Sequence, residues 1–211
     1  MISSRLLAVA SMVDKNKTVF DVGSDHAKLP CFLVLNDIVP KAYAGDNKPG
    51  PLASAELTIS HYHLNGKVIA VLSDGLENAS DDVNEVIISG MGYFTIEHIL
   101  DSCDVSSYEN FIVQSNTDVD KLRKYLSDRH FTITDEKVVQ DGFYYQIIKF
   151  NSCYHEAYTD LEIRYGPMLL KRRDVEFIDF LHHQLKYFKD LYERSGREDY
   201  GETIREIENI L

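Results

Sequence analysis

Residues 19–30 read VFDVGSDHAKLP. The apolar residues Val19, Phe20 and Val22 lead into Asp21-x-Gly23, as a buried strand does where it hands over to a ligand-binding loop. Loops of this type ordinarily add two more glycines to cradle a phosphate; this one has Ser24, Asp25 and His26. A pyrophosphate is held by backbone N–H groups at a helix N-terminus, with no carboxylate near it. Like charges about 4 Å apart repel by roughly 1–4 kcal/mol at surface-like dielectrics. Asp25 therefore points to a ligand of the opposite sign.

The same pattern recurs along the chain. Thr18–Val22, Ala42–Asp46, Val68–Leu72, Val86–Ser89 and Phe111–Val113 are short apolar runs, as strands covered on both faces should be. Helical spacings separate them. One has Pro30 near its start, with Leu29, Phe32 and Leu33 inward. The next carries Leu52, Ala55, Ile59 and Tyr62 and is closed by Gly66. Two more are marked by Ile96, Ile99 and Leu100, and by Val119, Leu122 and Leu126. A short helix capped by Ser3-Ser4, with Leu6, Val9, Ala10 and Val13 on its apolar side, precedes the first strand. Strands alternating with helices predict an α/β fold with a doubly wound, Rossmann-like parallel sheet. Residues 131–150 alternate and contain Asp141-Gly142, which predicts a terminal antiparallel hairpin.

Beyond residue 155 the period changes. Ile178, Leu181, Leu185, Phe188 and Tyr192 follow a 3-4 spacing, Ser195–Gly201 interrupts it, and Ile204, Ile207 and Leu211 resume it. This reads as a C-terminal helical hairpin packed as a short coiled coil. The expected organisation is a cofactor-binding domain over 1–153 and a helical hairpin over 154–211.

Ligands of an open α/β sheet bind beyond the carboxyl ends of its strands. Four of those ends carry polar or glycine-rich groups: Asp21, Gly23, Ser24, Asp25 and His26; Asp46-Asn47; Asp74-Gly75, followed by Leu76; and Gly90-Met91-Gly92. Asp46 is placed to accept two ribose hydroxyls, which suits NAD and S-adenosyl-L-methionine alike. The acidic first loop decides for the second, whose sulfonium and ammonium are cationic. Taken one at a time these residues have plainer readings: Asp25 as a helix cap, Asp74-Gly75 as a turn, Met91 as packing, His26 as a structural histidine. The joint arrangement favours a cofactor site.

The chain has 211 residues, 44% hydrophobic and 27% charged, and a net charge of −12 from 22 basic and 34 acidic side chains. That profile is globular, and its acidity argues against indiscriminate nucleic-acid binding. No apolar run is long enough to span a bilayer, and MISSRLLAVASMVDKNK turns charged too early for a signal peptide. Cys31, Cys103 and Cys153 are too far apart to suggest a metal site or a disulfide framework. A cytoplasmic protein without metal, not associated with membranes, is expected.

Specific motifs add to this reading. DVGSDHAKLP at 21–30, AGD at 44–46, SDGL at 73–76, ISGMG at 88–92 and QSN at 114–116, with SSRL at 3–6 and YGP at 165–167, resemble the TrmK family. These are bacterial tRNA (adenine-N1)-methyltransferases acting on adenine 22 of the D-arm. The resemblance spans almost the whole chain. It implies a class I methyltransferase fold, S-adenosyl-L-methionine as cofactor and tRNA as partner. It also implies that Asp25 acts at the target base. The sequence departs from the family pattern at Tyr93, where glycine is usual, at Ser115, where proline is usual, and at Asp46, where glutamate is usual.

The resemblance defines candidate roles. Asp25 is the catalytic candidate. Asp21, Gly23, Ser24, Asp46, Asn47, Asp74, Gly75, Leu76, Gly90 and Met91 are candidates for the cofactor. Arg5, His26, Gly92, Tyr93, Gln114 and Asn116 are candidates for the substrate. Gln114 or Asn116 would read the adenine edge and Tyr93 would stack on the base, with helix-start packing as its plainer reading. Lys15, Lys17, Lys28 and Lys171-Arg172-Arg173 are candidates to grip RNA. The chain is expected to act as a monomer. A methyltransferase with a non-RNA acceptor and a non-catalytic nucleotide- or RNA-binding module are the alternatives.

Overall fold

In the computed structural model, which describes residues 2–211, seven strands form one sheet in the order β3-β2-β1-β4-β5-β7-β6. The strands are β1 Thr18–Val22, β2 Lys41–Asp46, β3 Val68–Leu72, β4 Glu85–Met91, β5 Asn110–Ser115, β6 Phe131–Asp141 and β7 Phe143–Tyr154. The first five are parallel; β7 runs antiparallel between β5 and β6. The chain winds outward from β1 to β3, then crosses to the other side of β1 to form β4. The strand order therefore reverses between β1 and β4, the crevice where such sheets bind ligands.

Alternation within the strands sets the two faces. Phe20, Val22, Val86, Ile88, Phe111 and Val113 form one core with α4 (Tyr93–Asp101) and α5 (Val119–Asp128). Val19, Ala42, Ala44, Ile87 and Ile112 form the other with α1 (Ser4–Ala10), α2 (Lys28–Leu35) and α3 (Pro49–His61). Helices on both faces explain why these strands are apolar throughout. The Asp141-Gly142 turn joins β6 to β7, with Gly142 at φ +76°.

Several boundaries differ from expectation. α3 ends at His61; His63 takes the left-handed conformation at φ +56°, and Gly66 lies beyond it in the turn to β3. β4 continues through Gly90 and Met91, with a register shift between Ser89 and Met91. Gly90, at φ +81°, makes the bulge.

After β7 come two short helices that the periodicity did not predict, α6 (Asp160–Tyr165) and α7 (Pro167–Arg172). Thr159 and Glu162 start α6 with a reciprocal capping box. α8 (Val175–Ser195) and α9 (Glu198–Ile210) form the helical hairpin. Its break is shorter than expected: α9 already contains Gly201, which is buried. A Cβ there would sit 3.2 Å from the Tyr192 ring, so this glycine lets the two helices approach. The base of the hairpin is not free-standing. Phe177, Leu181, Ile207 and Ile210 pack with Val138, Tyr165 and Leu169.

Candidate active site

The loops after β1, β2 and β3 are stitched together by backbone hydrogen bonds. Ser24 N donates to Gly45 O at 2.9 Å, and Ser73 N to Asp46 O at 3.0 Å. The Asn47 amide donates to Asp74 Oδ1 at 3.3 Å. Asp21, Gly23, Ser24, Asp46, Asn47, Asp74 and Gly75 are thereby carried on three adjacent strand ends. Leu76 is buried beneath them.

Two glycines in this region do work that a side chain would prevent. Gly23 has φ +69°, and a Cβ there would lie 2.3 Å from Met91 Cε. A Cβ on Gly45 would meet the Phe20 ring at 2.4 Å. The backbone of the first loop thus lies against Met91 of β4, which draws the fourth strand end into the same cradle.

The residues fit a cationic nucleoside. Ser24 is buried, and its hydroxyl finds no hydrogen-bond partner of good geometry within the protein, although it lies near enough to Asp21 to influence it. A buried hydroxyl without a partner is unfavourable unless a ligand supplies one. One oxygen of Asp46 accepts the Lys48 N–H at 2.9 Å, which holds the half-buried carboxylate in place. Burial pushes the Asp21 carboxyl up to about 7, partly offset by Ser24 and by the charge of Arg5. A cation nearby would favour its ionised form.

Asp25 is exposed, with 71% of its side chain open, and the His26 ring approaches it at 3.3 Å. It does not cap a helix: neither the 3-10 turn Asp25–Ala27 nor α2 has a side-chain cap. His26 and Ala27 are consecutive residues at positive φ, +62° and +48°. Non-glycine residues are rarely held this way, and such strain gathers at functional loops. The turn presents the carboxylate and the imidazole outward.

On the far side of β1, Arg5, Gln114, Gly90 and Asn116 form one network. Arg5 Nη1 donates to Gln114 Oε1 at 2.5 Å, which also accepts the Gly90 N–H at 3.1 Å. Gln114 Nε2 donates to Asn116 Oδ1 at 3.0 Å, and Asn116 Nδ2 to Gly90 O at 2.7 Å. Gln114 is fully buried, with its carbonyl shared twice and its amide engaged. It orients Arg5 and Asn116 and, contrary to what the sequence suggests, is not presented to a base edge. Asn116 is exposed and keeps one amide hydrogen and one lone pair available.

Tyr93 also departs from the stacking expectation. Its ring is 8% exposed, its hydroxyl donates to Glu97 Oε1 at 2.6 Å, and burial pushes the phenol up to about 12. Together with Ile96 and Leu100 it forms the inner face of α4, so packing explains it. Phe94 is 69% exposed instead, with Lys121 Nζ 5.7 Å from its ring centre. Gly92 caps α4 beside Thr117.

Two residues at this site were missed. The Asp141 carboxylate accepts the Arg5 N–H at 3.0 Å, and the Tyr145 ring lies 5.5 Å from the Arg5 guanidinium carbon. The basic run 171–173 is largely spent on structure. Arg172 is bound to Asp135 and to Glu136 O, and Arg173 donates to Leu211 O at 2.9 Å. No helix among the described residues is long and apolar enough to cross a membrane.

A reversed strand order, acidic loops at the first three strand ends and a glycine bulge at the fourth define a class I methyltransferase. Residues 2–148 match the family model described as a methyltransferase domain, and the chain belongs to that family. Within it, the chain is 29% identical over 202 residues to the tRNA (adenine(22)-N(1))-methyltransferase of Bacillus subtilis, covering 92% of this chain and 85% of that enzyme. Among solved structures, a Streptococcus pneumoniae protein in complex with S-adenosyl-L-methionine is 30% identical, with a TM-score of 0.89 and full coverage of both chains. M. capricolum TrmK, solved with S-adenosyl-homocysteine, is 28% identical with a TM-score of 0.84, covering 99% of this chain and 97% of that one.

Proposed function

We propose that this protein transfers a methyl group from S-adenosyl-L-methionine to N1 of adenine 22 in tRNA. The observation that carries this reading is the similarity to an adenine-22 methyltransferase over 92% of the chain. It extends past the cofactor domain into the C-terminal helices. The geometry supports it through Asp25, a carboxylate presented outward by the loop that follows β1.

When bound, S-adenosyl-L-methionine supplies the electrophilic methyl carbon. Asp46 would hold the ribose, Asp21, Ser24 and Asp74 would meet the polar groups of the ligand, and Gly23 with Gly90 and Met91 shapes the cradle. Adenine N1 already has an in-plane lone pair, so no base is needed to make the nucleophile; alignment and exclusion of water are the main tasks. The product, 1-methyladenine, is cationic. Asp25 stabilises that charge as it develops or accepts a proton from N6. Asn116 pairs with the adenine edge, and Arg5, held by Gln114 and Asp141, receives the RNA backbone. N1 lies on the Watson–Crick edge, so the base must leave its stack to react. The reading includes a cytoplasmic monomer.

The test is methyl transfer from labelled S-adenosyl-L-methionine to an unmodified tRNA transcript with adenine at position 22, beside the same transcript with guanine there. Label on the first alone, recovered as 1-methyladenine, is expected. Binding of the cofactor with label on neither RNA would overturn the tRNA reading and point to another acceptor.

A further inference from the structure

α2 and α3 lie side by side, and each turns a stripe of residues toward the gap between them. Lys28 and Phe32 stand one turn apart on α2, as do Leu57 and His61 on α3, followed by Tyr62. With His26 they line a groove of about 530 Å³. Its apolar wall is open to solvent: Leu57 is 74% exposed and Tyr62 44%. Contiguous exposed apolar surface of this kind marks an interaction site.

The charge of the groove narrows the occupant. In a chain with 34 acidic and 22 basic side chains, the lining contains one lysine and two histidines and no carboxylate. Lys17, Lys41, Lys121, Lys124, Lys149 and Lys189 are each bound to a carboxylate. Lys28, like Lys15, Lys48, Lys67, Lys137, Lys171 and Lys186, takes part in no ion pair among the described residues, and of these seven it alone lines the groove. An apolar and aromatic wall beside an unneutralised cation and imidazole donors is the chemistry that single-stranded nucleic acid requires. Bases stack or pack on the wall, and phosphates take the polar groups. The groove is also continuous with the active site, since His26 lines it and approaches Asp25 at 3.3 Å.

We infer that this groove holds a nucleotide adjoining the target adenine, its base against Phe32, Leu57 and Tyr62 and its phosphate at Lys28 and His61. The inference rests on the tRNA reading above. Once a base is drawn out of its stack toward Asp25, the neighbouring nucleotide is also exposed, and the groove gives it a place beside the loop.

The test places a charge of either sign at Leu57, whose 74% exposure makes both Leu57→Glu and Leu57→Lys compatible with folding. Binding of an unmodified tRNA transcript is followed by fluorescence anisotropy, and cofactor binding by calorimetry. Leu57→Glu should weaken tRNA binding about tenfold and Leu57→Lys should match or exceed the wild type, with cofactor affinity unchanged in both. Lys28→Ala should flatten the slope of log affinity against log salt by about one, which a structural role would not do. Equal tRNA binding by the Glu and Lys variants overturns the inference, and the groove then belongs to a protein partner. If wild type methylates tRNA and the variants bind alike, the groove assignment alone falls. If the binding order holds without methylation, the enzymatic reading alone falls. If wild type binds no tRNA, both fall.

Discussion

Replacing Arg123 by methionine should loosen the joint between the sheet and the C-terminal helices. Arg123 and Glu136 are wholly buried and paired, Nε to Oε1, at 2.7 Å. The guanidinium also donates to Gln146 Oε1 at 2.6 Å and to the carbonyls of Ile163 and Arg164 at 3.4 and 3.3 Å. The second Glu136 oxygen accepts the Met168 N–H at 2.9 Å. One ion pair thus ties α5 and β6 to α6 and α7. Gly166, at φ +94°, admits it, because a Cβ there would lie 2.6 Å from the Glu136 carboxylate. Arg123→Met leaves that carboxylate buried and uncompensated. Breaking a buried pair from one side costs about 3–5 kcal/mol, a large share of a typical stability of about 5–15 kcal/mol. Adding Glu136→Gln removes the stranded charge and keeps an acceptor for Met168, so the double variant should recover to within about 2 kcal/mol of wild type. Urea denaturation measures both, and hydrogen exchange should show α6 and α7 opening first in the single variant. A loss below about 1 kcal/mol for Arg123→Met, or no recovery in the double variant, would refute the reasoning.

Three further outcomes follow from the site. Asp25→Asn should lower the methylation rate by about 100-fold, with cofactor affinity nearly unchanged; equal losses in both would remove Asp25 from the chemistry. Asp21, raised from 3.8 to about 7 by burial, binds its proton more tightly folded than unfolded. The protein should therefore lose up to about 4 kcal/mol of stability as pH rises from about 4 to about 7. Asp21→Asn should melt with wild type at low pH and above it at pH about 8, whereas a gap independent of pH would contradict the assignment. Gly23→Ala should lose roughly 1–2 kcal/mol for its left-handed backbone. It should also weaken S-adenosyl-L-methionine binding about tenfold, as Met91 is pushed from the Cβ position; calorimetry showing unchanged affinity would separate Met91 from the cradle.

The strands were legible because each covered strand is a short apolar run, and the β6–β7 hairpin because Asp141-Gly142 demands its turn. Helix ends were less so. α3 stops five residues before the glycine, with a left-handed histidine at the turn, and no local rule singles out His63. The missed helix α6 did have a signal, the Thr159-x-x-Glu162 capping box. For the site, the loops after β1 to β3 could be read because topology alone gathers strand ends. The Arg5 network could not: Arg5 and Gln114 lie 109 residues apart, and only the folded register brings them together. Tyr93 and Phe94 were a question of helix phase. Tyr93, Ile96 and Leu100 share the spacing of an inner face, which turns Phe94 outward.

The placement of charge explains how so acidic a protein can handle RNA. The hairpin, residues 175–211, carries nine acidic and five basic side chains. Lys189, Arg197 and Arg205 are already paired with Glu208, Asp199 and Glu198. Arg172 and Arg173 are tied to the protein itself. The C-terminal helices therefore have little free cationic charge with which to attract phosphate, and any hold they exert on tRNA comes from shape and position. The carboxylates at the sheet, Asp21, Asp25, Asp46 and Asp74, gather where the cationic cofactor belongs. In the proposed reading, what meets RNA beside them is Arg5, braced by Gln114 and Asp141, and Lys28 in a groove lined by no carboxylate. Each phosphate neutralised contributes about 0.7–0.9 to the salt slope. Two or three such contacts predict a shallow slope and weak binding to arbitrary RNA. Selectivity then rests on the flipped base and its neighbour, which only a strand threaded past Asp25 can present.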